Sequence, residues 1–236
     1  MLLDIILCCY QSNLEHLRRS IDSVLCQTYG NWMLYVVLDG RQPYISEFLE
    51  KYSYNTKIII YENEENKGLP LSLNIGHSLG YGDFISWTSD DNYYDLSFVK
   101  CMTETIRDCL AQQGDCRYLR SLEKHFHSTD CKSIVFDPQH GDSCLGKGNI
   151  LYPGYLGASH LYSRSAYEDT AGYDPNLSGI EDLDMYYQFR SKGIDPVFVP
   201  EVLYNYRVGK SRFNPDKIRE AREKFLKKWN KNANIG

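Results

Sequence analysis

Residues 87–95, WTSDDNYYD, place two adjacent carboxylates directly after the apolar run Phe84–Trp87. Neighbouring carboxylates repel each other, so a chain with no use for the pair would separate them. Asp and Asn also begin turns and cap helices, and this explanation suffices for the stretch taken alone. The other explanation is a site that handles a hard metal ion or a phosphate, because Mg²⁺ and Mn²⁺ prefer oxygen ligands.

Apolar runs and amphipathic segments alternate through the first 110 residues, and they must position this acidic pair. Uniformly apolar runs predict strands that are buried on both faces, and apolar residues at spacings of three and four predict helices. We therefore expect a parallel sheet with helices on both faces. The predicted strands are Leu2–Cys9, Trp32–Leu38, Lys57–Tyr61 and Phe84–Trp87; the predicted helices are Leu14–Cys26, Pro43–Lys51, one opening at Gly68, and Leu96–Leu110 with Asp95 as its N-cap.

Polar or reactive residues end three of these strands. They are Cys8-Cys9-Tyr10, Asp39-Gly40 and Ser89-Asp90-Asp91-Asn92. In open α/β sheets, ligands bind outside the carboxyl ends of the strands. Acids at two strand ends of one sheet, one of them doubled, therefore favour a binding pocket over isolated turns.

A second acidic cluster, Glu181-Asp182-Leu183-Asp184, opens a predicted helix Glu181–Lys192. Acids in a first helical turn are stabilised by the helix dipole, so the cluster alone does not require a function. A carboxylate at this place can also serve as a general base when a hydroxyl lies within reach.

Two basic segments suggest contacts with phosphate. Lys67 lies in a glycine-bearing loop that matches neither a Walker A loop nor a dinucleotide-binding GxGxxG. Arg207 and Lys210 lie in YRVGKSR, where cations could neutralise a diphosphate, and a solvated basic stretch explains that segment equally well.

A zinc site could be imagined at Cys116, His125, His127, Cys131 and Cys144, but their spacing matches no familiar zinc site. We therefore expect scattered free thiols in a reducing cytosol.

Charge is divided unevenly along the 236 residues. The net charge is −5, but residues 207–231 hold ten Lys/Arg and three Asp/Glu, a net +7 that leaves the rest at −12. An acidic body argues against general nucleic-acid binding. The basic tail includes an amphipathic helix, predicted to begin after Asn214, whose stripe of Ile218, Ala221, Phe225, Leu226 and Trp229 favours packing on the domain over contact with an anionic membrane surface. No apolar run reaches 18 residues, so we expect no membrane-spanning helix. The segment MLLDIILCCY is interpreted as a first strand rather than a signal peptide. We therefore expect a cytoplasmic protein that is at most peripheral to a membrane.

The second half has weaker patterns. Residues 112–150 are weakly periodic, and we expect strands at Tyr118–Leu122 and Ser133–Phe136 between long loops. Further on we expect a strand at Gly157–Tyr162, a short helix at Arg164–Ala171 and two paired strands, Pro196–Val199 and Val202–Tyr206.

Taken in order, three segments of this chain resemble the family 2 glycosyltransferases with the GT-A fold. They are SIDSVLCQTYGNWMLYVVLDG, NKGLPLSLNIGHSLGYGDFISWTSDDNYY and LYSRSAYEDTAGYDPNLSGIEDLDMYYQFRSKG. The resemblance implies inverting transfer of a sugar from a nucleoside-diphosphate sugar, with a UDP-sugar favoured, to an acceptor hydroxyl. It also implies a divalent metal, Mn²⁺ or Mg²⁺, that bridges the diphosphate. The acceptor stays open between glycan, lipid-linked carrier, protein and small molecule.

The resemblance also implies a role for each site residue. Asp182 falls on the general base, with Glu181 beside it, and Asp91 falls on the metal ligand of a DxD-type motif. Asp90 would lie near ribose or sugar and share the metal. The nucleotide base would contact Cys8, Cys9, Tyr10 and Asp39, while Arg207 and Lys210 would belong to a loop that closes over the diphosphate.

These expectations combine into one catalytic domain, residues 1–207. Its first half, 1–111, would hold the nucleotide sugar and its second half, 112–207, the acceptor. Residues 208–236 would form a basic loop and an amphipathic helix. Two other functions remain open: a metal-dependent sugar nucleotidyltransferase or hydrolase, which release of pyrophosphate from a nucleoside triphosphate would reveal, and a non-catalytic module that only binds nucleotide sugars.

Overall fold

The computed structural model describes residues 1–127, 133–136, 158–209 and 214–230. In its first half, strands and helices alternate as predicted. Each strand of this half except the edge strand β3 is almost wholly buried, and β1 and β2 are nearly uniform apolar runs. The N-cap of α1 is Asn13, whose side chain accepts hydrogen bonds from the N–H groups of Glu15 and His16. The elements are β1 (Leu3–Cys9), α1 (Leu14–Leu25), β2 (Trp32–Leu38), α2 (Pro43–Glu50), β3 (Ile58–Glu62), α3 (Leu69–Leu79) and β4 (Phe84–Ser89).

The second half mixes strand directions and carries the remaining helices. Its elements are β5 (Tyr93–Tyr94), α4 (Phe98–Gln113), β6 (Tyr118–His127), β7 (Ser133–Phe136), β8 (His160–Ser163), α5 (Arg164–Glu168), α6 (Glu181–Ser191), β9 (Val197–Val208) and α7 (Pro215–Asn230). A single turn of 3-10 helix, Pro175–Leu177, precedes α6.

Among the described residues, nine strands form a single sheet. Its order is β3-β2-β1-β4-β8-β6-β9-β5, with β7 paired to β6. The ladders among β3, β2, β1 and β4 are parallel, and β8 joins β4 antiparallel. The predicted parallel sheet is therefore one part of a mixed sheet, and β6 and β9 extend it with a further parallel ladder.

Helices cover both faces of the sheet, as predicted. One face packs its apolar side chains against α1, α2 and α4, and the other packs against α3, α5 and α6. Successive β1 residues alternate between these two cores, with Ile5 and Leu7 on one side and Ile6 and Cys8 on the other. Burial on both faces explains why β1 carries so few polar residues.

Several element boundaries differ from the predictions; β6, for example, continues to His127 instead of ending at Leu122. Residues 197–208 form one strand where we predicted two. Pro200 and Glu201 bulge out of this strand, because Pro has no N–H to donate to the ladder, and the register against β6 shifts there. Ser97, rather than Asp95, is the N-cap of α4, and Asp95 instead accepts hydrogen bonds from the Ser97 N–H and hydroxyl. Strand β8 begins at His160, and residue 157, where we predicted its start, lies outside the described residues.

Across the stretches that the structure describes, no helix combines the length and the apolar character needed to cross a bilayer.

Candidate active site

The three polar strand ends meet at one edge of the sheet. In the parallel ladders, Cys8 of β1 lies opposite Val37 of β2 and Ser89 of β4, and Cys9 lies opposite Leu38. Tyr10, Asp39 and the Asp90-Asp91 pair therefore follow neighbouring strands at the same carboxyl edge. The prediction that these stretches lie together is confirmed.

Hydroxyl groups surround the Asp90-Asp91 pair. Asp90 is buried, and its carboxylate accepts a hydrogen bond from the Ser12 hydroxyl. Asp91 is half-buried and accepts a hydrogen bond of 2.8 Å from the Ser89 hydroxyl, which itself accepts one from the side chain of Asn92. Ser12 was missed by the sequence analysis, although it lies only three residues beyond the end of β1.

Strand β9 brings Arg207 to this acidic pair. The backbone N–H of Arg207 donates to the side-chain oxygen of Asn92 at 2.8 Å, and its Nε donates to the carbonyl of Asp91 at 3.2 Å. The guanidinium also lies 4.8 Å from the centroid of the Phe126 ring. Burial lowers the pKa of Arg207, and the charge of Asp91 partly offsets that effect. Lys210, its predicted companion, lies outside the described residues.

Asp39 anchors the loop that precedes α3. Its buried carboxylate accepts hydrogen bonds from the side chains of Asn63 and Asn66 and from the backbone N–H groups of Lys67 and Gly68, at 2.8–3.1 Å. A carboxylate accepts about four hydrogen bonds, so a nucleotide base could reach Asp39 only by replacing one of these donors. The predicted base contact therefore remains a prediction, and the observed role of Asp39 is to hold the loop.

Gly40 allows the same loop to approach β2 closely. Its φ is +98°, and a Cβ at this position would lie 2.8 Å from the backbone nitrogen of Asn66. Any other residue would push the loop away from the strand end. The side chain of Lys67 is exposed at the tip of this loop, and its predicted phosphate contact is untested.

The second acidic pair, Glu181 and Asp182, begins α6 in a poorly solvated place. Glu181 is buried and accepts a hydrogen bond from the Gly179 N–H; burial, and then the charge of Asp182, raise its pKa to about 8. Asp182 is half-buried and accepts a 2.8 Å hydrogen bond from the Leu183 N–H. Burial raises the pKa of Asp182 to about 6, and the charge of Glu123 adds to the effect. A carboxyl group with such a pKa can exchange a proton near neutral pH.

The Cys8 thiol interacts electrostatically with one member of each acidic pair. Burial raises its pKa well above the ordinary value, and interactions with Cys9, Asp39, Asp90 and Glu181 raise it further. These groups therefore share one electrostatic environment. Glu181 at the start of α6 and Asp90 just after β4 both interact with this thiol, although 91 residues separate them in the sequence.

Asp182 also borders a small pocket with aromatic walls. The side chains that line it with Asp182 come from β4, β6, β8 and α6 and from the loop after α5. They are Trp87, Tyr118, His160, Tyr162, Tyr173, Met185, Tyr186 and Phe189. Glu123 of β6, which influences Asp182, is buried and accepts hydrogen bonds from the Ser159 N–H at 2.7 Å and from His125 at 3.0 Å. The sequence analysis missed Glu123 because it ended the predicted strand at Leu122, whereas β6 continues to His127.

Free thiols are found at every cysteine that the structure describes. These are Cys8, Cys9, Cys26, Cys101, Cys109 and Cys116. Three of the residues considered for a zinc site cannot be compared with the structure. Cys131 and Cys144 lie outside the described residues, and so does the side chain of His127.

A family model for glycosyl transferase family 2 matches residues 4–170, most of the chain. The chain therefore belongs to glycosyl transferase family 2, as its motifs predicted. The matched range includes β1 to β4, the Asp90-Asp91 pair and β8. It ends before Glu181 and Asp182, so the family assignment by itself says nothing about those two residues.

Curated relatives and solved structures agree with this assignment. EpsE of Bacillus subtilis, whose name places it among glycosyltransferases, is 27% identical over 216 residues, 84% of this chain and 70% of EpsE. A glucosyl-dolichyl phosphate glucuronosyltransferase of Haloferax volcanii is 26% identical over 109 residues, 46% of this chain and 35% of that protein.

The fold is that of S. aureus TarS. A structure of TarS 1-349 in complex with UDP-GlcNAc superposes with a TM-score of 0.71 at 16% identity, and the match covers 94% of this chain and 64% of that one. A longer TarS chain matches over 38% of its length. The GT-A prediction for the fold is confirmed. This chain therefore spans less than two thirds of its TarS matches.

Proposed function

We propose that this chain transfers a sugar from a UDP-sugar to an acceptor hydroxyl with inversion at the anomeric carbon. The observation that carries the proposal is a set of two unlike acidic pairs, Asp90-Asp91 beside hydroxyl donors and Glu181-Asp182 with raised pKa values. Asp90 and Glu181 both interact electrostatically with the Cys8 thiol near the end of β1. Family membership and the TarS complex with UDP-GlcNAc support the donor class. Residues 1–111 would hold the donor and residues 112–207 the acceptor.

In this mechanism Asp182 is the general base. Its carboxylate takes the proton of the acceptor hydroxyl while the acceptor oxygen attacks the anomeric carbon. The bond between that carbon and the diphosphate oxygen breaks, and UDP leaves with the electron pair. A single displacement inverts the configuration. A positioned general base contributes about 10²–10⁴-fold to the rate.

A divalent cation fits the donor side only if the substrate supplies most of its ligands. Within the described ranges, no group of three or more His, Cys, Asp or Glu side chains could hold a metal ion. Mg²⁺ and related ions are often bound by one or two carboxylates plus phosphate oxygens and water. Asp91, with Asp90 beside it, would hold Mg²⁺ or Mn²⁺ in this way, and the ion would neutralise charge on the leaving diphosphate.

Arg207 would add a second positive charge on the same side. It already contacts the Asp91 carbonyl, so a diphosphate near Asp91 would lie within reach of the guanidinium. The proposal also includes contacts of the nucleotide with Cys8, Cys9, Tyr10 and Lys67, and a cytoplasmic location.

A thermal-shift screen tests the donor class. UDP, GDP, dTDP and CMP are each added with and without Mn²⁺, and the melting temperature is recorded. A ligand that binds only the native state stabilises it by about 2.7 kcal/mol at a concentration of 100 times Kd. We expect the largest shift with UDP plus Mn²⁺, and release of UDP from UDP-GlcNAc or UDP-glucose. A screen without any nucleotide-dependent shift would contradict the proposal, and release of pyrophosphate from UTP and a sugar phosphate would indicate a nucleotidyltransferase.

A further inference from the structure

Helix α7 ends against a buried carboxylate next to the proposed base. Asp184 lies on α6 two residues after Asp182, and its side chain is only 1% exposed. Nζ of Lys228 donates to its Oδ2 at 2.8 Å, and the indole N–H of Trp229 donates to its Oδ1 at 2.8 Å. Gln188 adds a third donor at 2.9 Å. Both oxygens of Asp184 are thus used, and α7 supplies the cation.

Apolar contacts join the same two helices. Ala221 and Phe225 of α7 are buried in one cluster with residues from the turn before α6 and its first turn, namely Leu177, Ile180 and Leu183. The Tyr187 ring of α6 lies 5.0 Å from that of Phe225 and 5.4 Å from that of Trp229. The amphipathic stripe predicted for the tail therefore packs on the domain, against the start of α6 and the turn before it.

The start of α6 has little local support. Its N-cap, Ile180, forms no side-chain capping bond. The first-turn acids Glu181, Asp182 and Asp184 interact favourably with the helix dipole, but Glu181 and Asp184 are buried and therefore depend on their partners. An isolated helix of this length is marginal in water, so packing must define where it begins. Without α7, Asp184 would lose its counter-ion and two of its three donors, and a buried unpaired carboxylate strongly favours rearrangement.

We propose that α7 is a positioning element for the reaction, because Lys228 and Trp229 hold Asp184 and thereby hold the first turn of α6 that presents Asp182. The inference rests on the proposed function for the role of Asp182. Neither Lys228 nor Trp229 contacts the reacting atoms in this proposal. Both act through the helix that carries the base.

The test uses the full chain with four substitutions. Lys228→Met removes the charge and keeps the stem, and Trp229→Phe keeps an aromatic ring beside Tyr187 and removes the indole N–H. Lys228→Arg is the conservative variant. Lys227→Met is the matched control, since Lys227 is the exposed neighbour on α7. UDP release from UDP-GlcNAc, with water taking the sugar in place of the unidentified acceptor, gives kcat and KM. Hydrogen exchange followed by mass spectrometry reports on residues 178–189.

We expect Lys228→Met and Trp229→Phe to lower kcat by about 10–100-fold, because a misplacement near 1 Å can cost that much. The KM for UDP-GlcNAc should stay within about twofold, since the donor-side contacts of Asp91 and Arg207 are untouched. Exchange at the start of α6 should accelerate. Lys228→Arg should recover most of kcat, and Lys227→Met should match the wild type.

Wild-type kcat in a folded Trp229→Phe chain would overturn the inference, even if Lys228→Met fails to fold. Faster exchange at α6 without any change in kcat would also overturn it, because α7 would then support stability alone. Asp182→Asn in the otherwise unchanged chain tests the proposed function separately. If that variant released UDP normally, the base assignment would fail whatever the α7 variants did.

Discussion

The two acidic pairs of the site lie in opposite surroundings. Asp90 and Asp91 follow a strand, accept hydrogen bonds from Ser12 and Ser89 and have Arg207 beside them. Glu181 and Asp182 begin a helix, where burial raises both pKa values. The second pair can take up or release a proton near neutral pH. We propose that the first pair binds a cation and that the second exchanges a proton, so that the same functional group would serve two roles in different surroundings.

Replacing Asp182 should have the largest effect. Asp182→Asn keeps the oxygen that accepts from the Leu183 N–H but cannot accept a proton from an acceptor hydroxyl. We expect turnover to fall by about 10²–10⁴-fold, while the UDP-dependent thermal shift stays close to that of the wild type. Turnover of the wild type should also fall as the pH drops below about 6, because the carboxylate becomes protonated.

The matched control for this prediction is Asp108→Asn on α4, whose side chain is exposed. It should leave both turnover and its dependence on pH unchanged. Near-normal turnover of Asp182→Asn would remove the distinction between the two acidic pairs. The search for a base would then move to Glu181 or Glu123.

Replacing Asp91 should change binding instead of the proton transfer. Asp91→Ala removes the half-buried carboxylate at the end of β4, so Mn²⁺ should no longer add to the thermal shift produced by UDP. UDP with Mn²⁺ at 100 times Kd stabilises the native state by about 2.7 kcal/mol in total, and the metal-dependent part of that stabilisation should be lost. Thermal shifts with and without Mn²⁺ measure it, and Asp108→Ala is the control. A metal-dependent shift that survived in Asp91→Ala would exclude Asp91 as the ligand.

The parallel half of the sheet was predictable from sequence for a physical reason. Strands buried on both faces are nearly uniform apolar runs, and each intervening helix shows one apolar face, so β1, β2 and β4 and the helices between them could be found from spacing alone. The strand ends then follow from the rule that ligands bind at the carboxyl edge. This reasoning located Asp39, Asp90 and Asp91 correctly.

The partners of these acids could not be predicted in the same way. Arg207 and Asn92 are hydrogen-bonded across 115 residues of sequence, and Lys228 reaches Asp184 across 44. No periodic pattern encodes such pairs, because tertiary packing creates them. The same limit hid the four donors that occupy Asp39, a residue that the family pattern assigned to the nucleotide base.

The carboxylate of Asp39 can be compared with both acidic pairs, because its four hydrogen bonds hold the loop before α3. Asp39→Asn puts an amide group where two of the four present donors point, so those donors lose their acceptor. We expect the free energy of unfolding to fall by about 1–3 kcal/mol and UDP affinity to fall through loosening of the loop. Denaturant titration measures the first effect and thermal shift with UDP the second. A loss of UDP affinity without any loss of stability would instead favour direct contact of Asp39 with the base.

Glu181→Gln should produce the smallest effect, and its sign is the informative part. Because the pKa of Glu181 is raised in the folded chain, folding favours its protonated form, and that contribution to stability is lost as the pH rises through about 8. Gln is neutral at every pH and its oxygen can still accept from the Gly179 N–H. We therefore expect Glu181→Gln to melt above the wild type at pH 8.5, with the gain shrinking toward pH 5. Melting curves across this range, with the exposed Glu168→Gln as control, measure it. A variant that is destabilised equally at every pH would show that hydrogen bonding, and not desolvation, governs the second acidic pair.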